Sequence, residues 1–340
     1  MNEFAIIGAG TVAQTRYIPA LSNNPHASLK WIVDVDRERA KTVAADAGVP
    51  GYATDYDDVL SEVDAAVIAT PPRFHEEIAR DCIRAGVDIL SEKPVALSSQ
   101  QAEAVTTLAR DHGRQFAISR QYREAPACRI LKSFVSNEAV GPVQTVTARF
   151  GDGTHWDFAS DYRIDQRLAG GGVLADKGPH LIDIVLWIVD ENIRIDRYRD
   201  DNFGGMEANA EIEFSVPGME ISGTMEISAS RDITNVIEIT GETGRMVATP
   251  DGTSVTMVSN DMDDRTLVRT EEDSPPKTSQ ERIARQVDRF VESLDGEAAS
   301  YVPAETDTQV LQVIESCYSK RERLVNPWEE KHLTFAGGGS

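Results

Sequence analysis

The sequence predicts a two-part chain: a doubly wound parallel α/β half, followed by an α+β half built on a large, mainly antiparallel sheet. Three observations predict it. Short apolar runs alternate with helical patterns from residue 1 to about 122. After Gly141-Pro142 the apolar residues switch to a period of two. A Gly-x-Gly-x-x-Ala run stands between the first strand and the first helix. At 340 residues the chain exceeds what one core usually covers, so two domains are expected, 1–122 and 123–330, with a flexible tail over 331–340.

In order, the first half reads as strands over residues 4–7, 29–35, 65–69, 87–90 and 115–119. Gly48, Gly86 and Gly113 fall near the ends of the amphipathic stretches between them, where left-handed helix caps belong. The second half reads as antiparallel strands over 143–150, 208–216, 219–230, 235–240 and 254–258. Pro217-Gly218, Gly241 to Gly244 and Asp251-Gly252 supply the turns. A helix over 179–189 lies inside this half. Two more, 279–294 behind the cap-like Thr278-Ser279 and 306–324, close it. Residues 262–277 are polar and are expected to be a mobile loop.

Fifty-six acidic against thirty-four basic residues give a formal charge of −22, which repels phosphate backbones and anionic lipid. Nucleic acid and membrane are therefore set aside as partners. Only eight of the basic residues are lysines, a bias that suits a halophilic source. Apolar residues make up 41% of the chain, yet no stretch approaches the roughly eighteen that a membrane span needs. Met1 runs directly into a strand-like segment, so cytoplasmic residence is expected. Cys82, Cys128 and Cys317 show no pairing or CxxC spacing and read as small core residues.

Gly8-Ala9-Gly10-Thr11-Val12-Ala13 follows a strand and opens a helix, the context in which this motif binds a dinucleotide. Gly8 permits the tight turn, Gly10 lets a pyrophosphate approach the backbone, and Ala13 lets the helix pack on the strand. The helix N-terminus then offers unpaired amides to the phosphates. Asp34, at the end of the second strand, stands where a carboxylate meets the adenosine ribose hydroxyls. That favours NAD, while Asp36 and Arg37 beside it leave NADP open. Ser91-Glu92-Lys93-Pro94 follows a buried strand at the carboxyl edge, where open α/β sheets bind ligands, and so holds Lys93 near the cofactor.

The run Gly170-Gly171-Gly172-Val173-Leu174-Ala175-Asp176-Lys177-Gly178-Pro179-His180-Leu181-Ile182-Asp183 completes a pattern. With the GxGxxA run, Thr70-Pro71-Pro72 with His75, and Glu92-Lys93-Pro94, the chain resembles the glucose-fructose oxidoreductase / inositol dehydrogenase / MocA (Gfo/Idh/MocA) oxidoreductases from residue 4 to about 325. The resemblance implies a Rossmann domain followed by an open-sheet domain, assembled as a homodimer or homotetramer. It implies hydride transfer between NAD(P) and the carbinol of a sugar, sugar derivative or polyol. Lys93, Asp176 and His180 resemble the family's catalytic trio, which also contacts substrate. Thr70, Pro71, His75, Glu92 and Gln121 match cofactor positions. Arg120, Arg123, Trp156, Tyr162 and Arg163 match positions that contact substrate or nicotinamide.

The chemistry agrees. Oxidising a secondary alcohol needs a base for the hydroxyl proton, and histidine titrates in the right range, which makes His180 the candidate. Lys93 would hold the same oxygen and steady its developing charge. Asp176 would orient His180 or the sugar hydroxyls. Asp176 and His180 are four apart and would share one face if the segment is helical. The six histidines show no metal-ligand spacing, so no metal is expected. A regulator that senses NAD(H) without turnover, and redox-neutral chemistry with a retained cofactor, are the alternative readings. The charge is uneven. Residues 1–120 hold 17 acids and 12 bases, residues 121–180 seven of each, and residues 181–340 hold 32 and 15. The segment expected to line the site is the neutral one, which keeps an anionic sugar among the substrates.

Overall fold

In Ala65–Ile68 all four residues are buried, which marks a strand covered on both faces, as in a parallel sheet between helical layers. The computed structural model describes residues 1–152, 166–202, 206–260, 265–270, 272, 274–296 and 301–324. Its first sheet contains β1 (Asn2–Ile7), β2 (Ala27–Val33), β3 (Gly51–Ala53), β4 (Ala65–Ile68), β5 (Asp88–Ser91) and β6 (Phe116–Ile118). The order is β3-β2-β1-β4-β5-β6, with every pair parallel. Helices α1 (Ile18–Asn23), α2 (Arg37–Ala47), α3 (His75–Ala85) and α4 (Ser99–Asp111) connect the strands, α1 being entered through a π-helical turn at Ala13–Tyr17. The order reverses between β1 and β4, so the ligand crevice of this sheet opens at their carboxyl ends. Gly48 and Gly86 cap α2 and α3 in the left-handed conformation, as expected from sequence.

The second sheet follows α5 (Pro126–Ser136). It contains β7 (Val143–Asp152), β8 (Arg194–Asp200), β9 (Asn209–Ser215), β10 (Ser222–Ser228), β11 (Asp232–Gly241), β12 (Gly244–Ala248), β13 (Ser254–Ser259), β14 (Arg265–Arg269) and β15 (Arg321–Arg323). The order is β14-β13-β12-β11-β7-β10-β9-β8-β15. It is antiparallel except where β7 meets β10 and β8 meets β15. Between β7 and β8 lie α6 (Gln166–Ala169), α7 (Val173–Asp176) and α8 (Gly178–Val189). Leu181, Ile182, Ile184 and Val185 of α8 pack with Val146, Ala148 and Phe150 of β7 in one core.

Two expectations are corrected. The polar stretch 262–277 is not wholly loop, because its residues 265–269 pair with β13 as an edge strand. The last helix stops early. α10 (Thr306–Ser319) gives way to β15, whose three exposed residues pair with β8.

α9 (Ser279–Leu294) begins where the sequence placed it, with Thr278 and Glu281 forming a reciprocal capping box. It packs on the first sheet: Ile283, Val287, Phe290 and Val291 share a core with Phe4, Ile6 and Leu21. Phe290 meets Phe4 edge to face at 6.4 Å. Val302 and Ala304 bond the backbone of β6, through Ile118 N–H to Val302 O and Ala304 N–H to Phe116 O, each 2.9 Å. Among the described residues, no helix is long and apolar enough to cross a membrane.

Candidate active site

Gly8 follows β1 with φ +98°, and a Cβ there would lie 2.6 Å from Ala69 O. A side chain at Gly10 would meet nothing within 4 Å. The first helical bond runs from Gln14 N–H to Gly10 O, so the amides of Gly10, Thr11, Val12 and Ala13 precede it. Close packing behind Gly8 and open space before Gly10 form the cradle a pyrophosphate needs. Thr70 Oγ1, across the crevice, is buried with no hydrogen-bond partner.

Asp34 follows β2 directly and is buried. Its carboxylate accepts from Ala9 N–H and from Asp36 N–H, each at 2.9 Å, and Arg39 Nη1 lies 3.3 Å from both oxygens. The acid therefore ties the second strand to the glycine loop itself, and the exposed Arg39 is a neighbour that sequence reading did not weigh. Pro71 leads into a 3-10 turn at Pro72–Phe74. His75 is buried, its ring nitrogens 2.6 Å from Pro94 O and 2.7 Å from Thr70 O. Burial pushes His75 below the ordinary histidine range against the pull of those two carbonyls. It joins the Thr70 turn to the loop that carries Lys93.

Glu92 accepts from Tyr17 Oη at 2.8 Å, and Lys93 N–H lies 3.3 Å from its other oxygen. Tyr17 is wholly buried, and its phenol is raised well above its ordinary value by that burial and by the Glu92 charge. Lys93 Nζ donates to Asp176 O at 2.6 Å and stands 3.3 Å from Asp176 Oδ1. The Lys93 side chain is 13% exposed and that of Asp176 42%, so the pair forms a wall with its acid end in solvent.

The segment carrying Asp176 and His180 is not one helix. α7 ends at Asp176 and α8 begins at Gly178, with Pro179 supplying no N–H to continue the ladder. His180 sits in the first turn of α8, edge-on to Tyr122 at 5.4 Å. Its Nδ1 is buried with no hydrogen-bond partner. Burial, reinforced by the charges of Lys93, Arg120, Arg16 and Arg282, drives its pKa well below 6.5 and holds it neutral.

Other expected contacts are engaged elsewhere. Gln121 accepts from Ser279 Oγ. Arg123 makes a bidentate pair with Asp183, at 3.0 and 2.7 Å, and covers the Trp187 ring at 5.5 Å. The Arg120 side chain is 0% exposed. Its guanidinium pairs with Asp307, donates to Pro179 O at 2.9 Å and lies 3.5 Å from Asp183. Asp307 in turn accepts from Val95 N–H at 2.7 Å. Burial raises the Asp307 carboxyl, and Arg120 opposes that rise. One buried ion pair thus connects the residue two places after Lys93 with the residue before His180. Trp156, Tyr162 and Arg163 lie outside the described residues.

The parts can do one kind of work. A glycine cradle for phosphates, an ammonium fixed by a carboxylate, and a neutral imidazole converge where the first sheet ends and α7–α8 approach. Known proteins share the arrangement of the chain. Residues 2–119 match an oxidoreductase family with an NAD-binding Rossmann fold, and residues 128–247 match the GFO/IDH/MocA C-terminal domain. D-xylose 1-dehydrogenase (NADP(+)) 2 of Haloferax volcanii is 25% identical over 328 residues, 94% of this chain and 97% of that one. Levoglucosan dehydrogenase of Pseudarthrobacter phenanthrenivorans is 28% identical over 170 residues, 48% of this chain and 43% of the relative. In fold, the chain resembles a levoglucosan dehydrogenase solved with NADH and levoglucosan. The TM-score is 0.83 at 18% identity, covering 94% of this chain and 96% of that one.

Proposed function

Because this chain belongs to the Gfo/Idh/MocA oxidoreductase family, we propose that it moves a hydride between a nicotinamide cofactor and the carbinol of a sugar or polyol. The observation that carries this reading is the Lys93–Asp176 pair at 3.3 Å beside a neutral His180 at the carboxyl edge of the first sheet. Residues 1–122, completed by α9, hold the cofactor, and the later residues hold the sugar.

Gly8, Gly10, Thr11 and Val12 cradle the pyrophosphate, Thr70, Pro71 and His75 form the facing turn, and Glu92, Lys93 and Gln121 border the nicotinamide end. Asp34 at the ribose favours NAD. The bound nicotinamide supplies the hydride acceptor. Lys93 donates a hydrogen bond to the carbinol oxygen and stabilises the charge that grows there as the C–H bond breaks. His180, uncharged at neutral pH, takes the hydroxyl proton. Asp176 fixes the Lys93 ammonium, a role nearer to its 3.3 Å contact than orientation of His180. Arg123, held by its pair with Asp183, borders the sugar.

The outer face of the second sheet carries cross-strand pairs, Arg149–Glu226 at 3.6 Å, Arg199–Glu211 at 2.9 Å and Arg245–Glu238 at 3.5 Å. That broad face is where a homodimer or homotetramer forms. Three buried free cysteines suit a reducing cytoplasm. The test is absorbance at the reduced-nicotinamide band with NAD or NADP against aldoses, anhydrosugars, polyols and sugar phosphates. Turnover with at least one carbinol, lost in Lys93→Ala, is expected. Full turnover in Lys93→Ala would sink the mechanism.

A further inference from the structure

The glycine run Gly170–Gly172 abuts a buried acid that the mechanism does not use. Glu207 is 2% exposed. Its Oε1 accepts from Gly172 N–H and from Leu174 N–H, each at 3.1 Å, while its backbone carbonyl accepts from Val173 N–H at 2.8 Å. Three consecutive amides at the start of α7 thus end on one residue. Tyr318 Oη donates to the same Oε1 at 2.7 Å, and Arg321 Nη2 stands 3.6 Å from Oε2. Any side chain at Gly172 would overlap the Glu207 backbone, and one at Gly171 would overlap the Tyr318 hydroxyl. The glycines are there because the acid and the phenol come that close.

α7 is a single turn, too short to hold itself in place, and it ends at the residue that grips Lys93. We propose that Glu207 is a positioning residue: by gripping the amides of Gly172, Val173 and Leu174 it sets the height of α7, and through Asp176 the place of the Lys93 ammonium at the reacting oxygen. The inference rests on the reading of Lys93 as the residue that holds that oxygen. Glu207 touches neither the glycine cradle nor Lys93, so its loss acts on the chemical step and leaves cofactor binding alone. A displacement of about 1 Å at a reacting group costs on the order of 100-fold in rate.

The experiment compares Glu207→Ala, Glu207→Asp and Glu207→Gln in the full chain, measuring kcat, KM for the sugar and the Kd of NAD by quenching of tryptophan fluorescence. Glu207→Ala is expected to lose about 100-fold in kcat, and Glu207→Asp, whose carboxylate is drawn back by one methylene, about tenfold, both with the wild-type Kd. Glu207→Gln keeps an acceptor oxygen for both amides and should stay within about threefold of wild type. If Glu207→Ala does not fold, Glu207→Asp decides. Wild-type kcat in Glu207→Asp, or a weakened NAD Kd in step with kcat, overturns the proposal. A wild-type protein that turns over no sugar removes the functional reading and this inference together, whereas an active wild type with unchanged variants removes this inference alone.

Discussion

Asp307→Ala is the perturbation that tests how the two halves of the site are held. The side chains of Asp307 and Arg120 are both 0% exposed, and between them they reach Val95 N–H and Pro179 O. Removing one partner of a buried pair leaves an uncompensated charge and costs about 3–5 kcal/mol. Arg120 keeps a second carboxylate, Asp183, but at 3.5 Å and already shared with Arg123 at 2.7 Å. Asp183 therefore offsets only part of the loss. Val95 N–H is also left without its acceptor, at about 1 kcal/mol. With the partial offset from Asp183 set against the added Val95 loss, the destabilisation stays at about 3–5 kcal/mol, read as a lowered urea midpoint at unchanged m. Replacing both residues with leucine removes the stranded charge and is expected to be less damaging than Asp307→Ala alone. A midpoint shift worth less than about 0.5 kcal/mol would refute the reasoning, because it would mean that water or Asp183 already neutralises Arg120.

Other expectations follow from the same geometry. Gly10→Ala fills open space and should leave the melting temperature unchanged while weakening NAD binding at least about tenfold, by calorimetry. Gly8→Ala meets Ala69 O at 2.6 Å with φ +98°, so it should cost more than about 1 kcal/mol in a melting experiment, and equal melting of the two variants would contradict the assignment. His180 is neutral in both states above pH 6.5 and adds no pH dependence there. Below pH 6.5 the unfolded chain binds a proton that folded His180 refuses, so stability falls with pH by up to about 1.4 kcal/mol per unit. Urea midpoints from pH 7 to 5 should fall less steeply in His180→Asn, and parallel lines would count against a neutral imidazole in the folded chain.

What sequence made visible, and what it hid, follows from the range of the interactions. The glycine cradle, the caps at Gly48 and Gly86 and the Thr278 box are local signals, each set by residues within a turn of one another. β8 was invisible because five of its seven residues are charged and a register shift between Ile195 and Arg197 breaks its alternation. β3 and β15 are three residues each, too short for a period to declare itself. At the site, residue types were legible but partners were not. Arg120 gives no local sign of its buried counterion, which stands 187 residues away. Glu207 carries no local mark in the sequence of its grip on Gly172 and Leu174.

The return of α9 to the first sheet has a consequence for the order of synthesis. β1 leaves the ribosome well before α9, since Phe290, which covers Phe4, is made 286 residues later. At about 5–20 residues per second, that leaves the nucleotide half with an unsealed apolar face for roughly 15–60 s. The cofactor cradle is therefore made long before the core behind it is finished. Interruptions of translation before α9 expose a sticky intermediate, and a nascent chain halted at residue 122 is a client for chaperones rather than a small binding module.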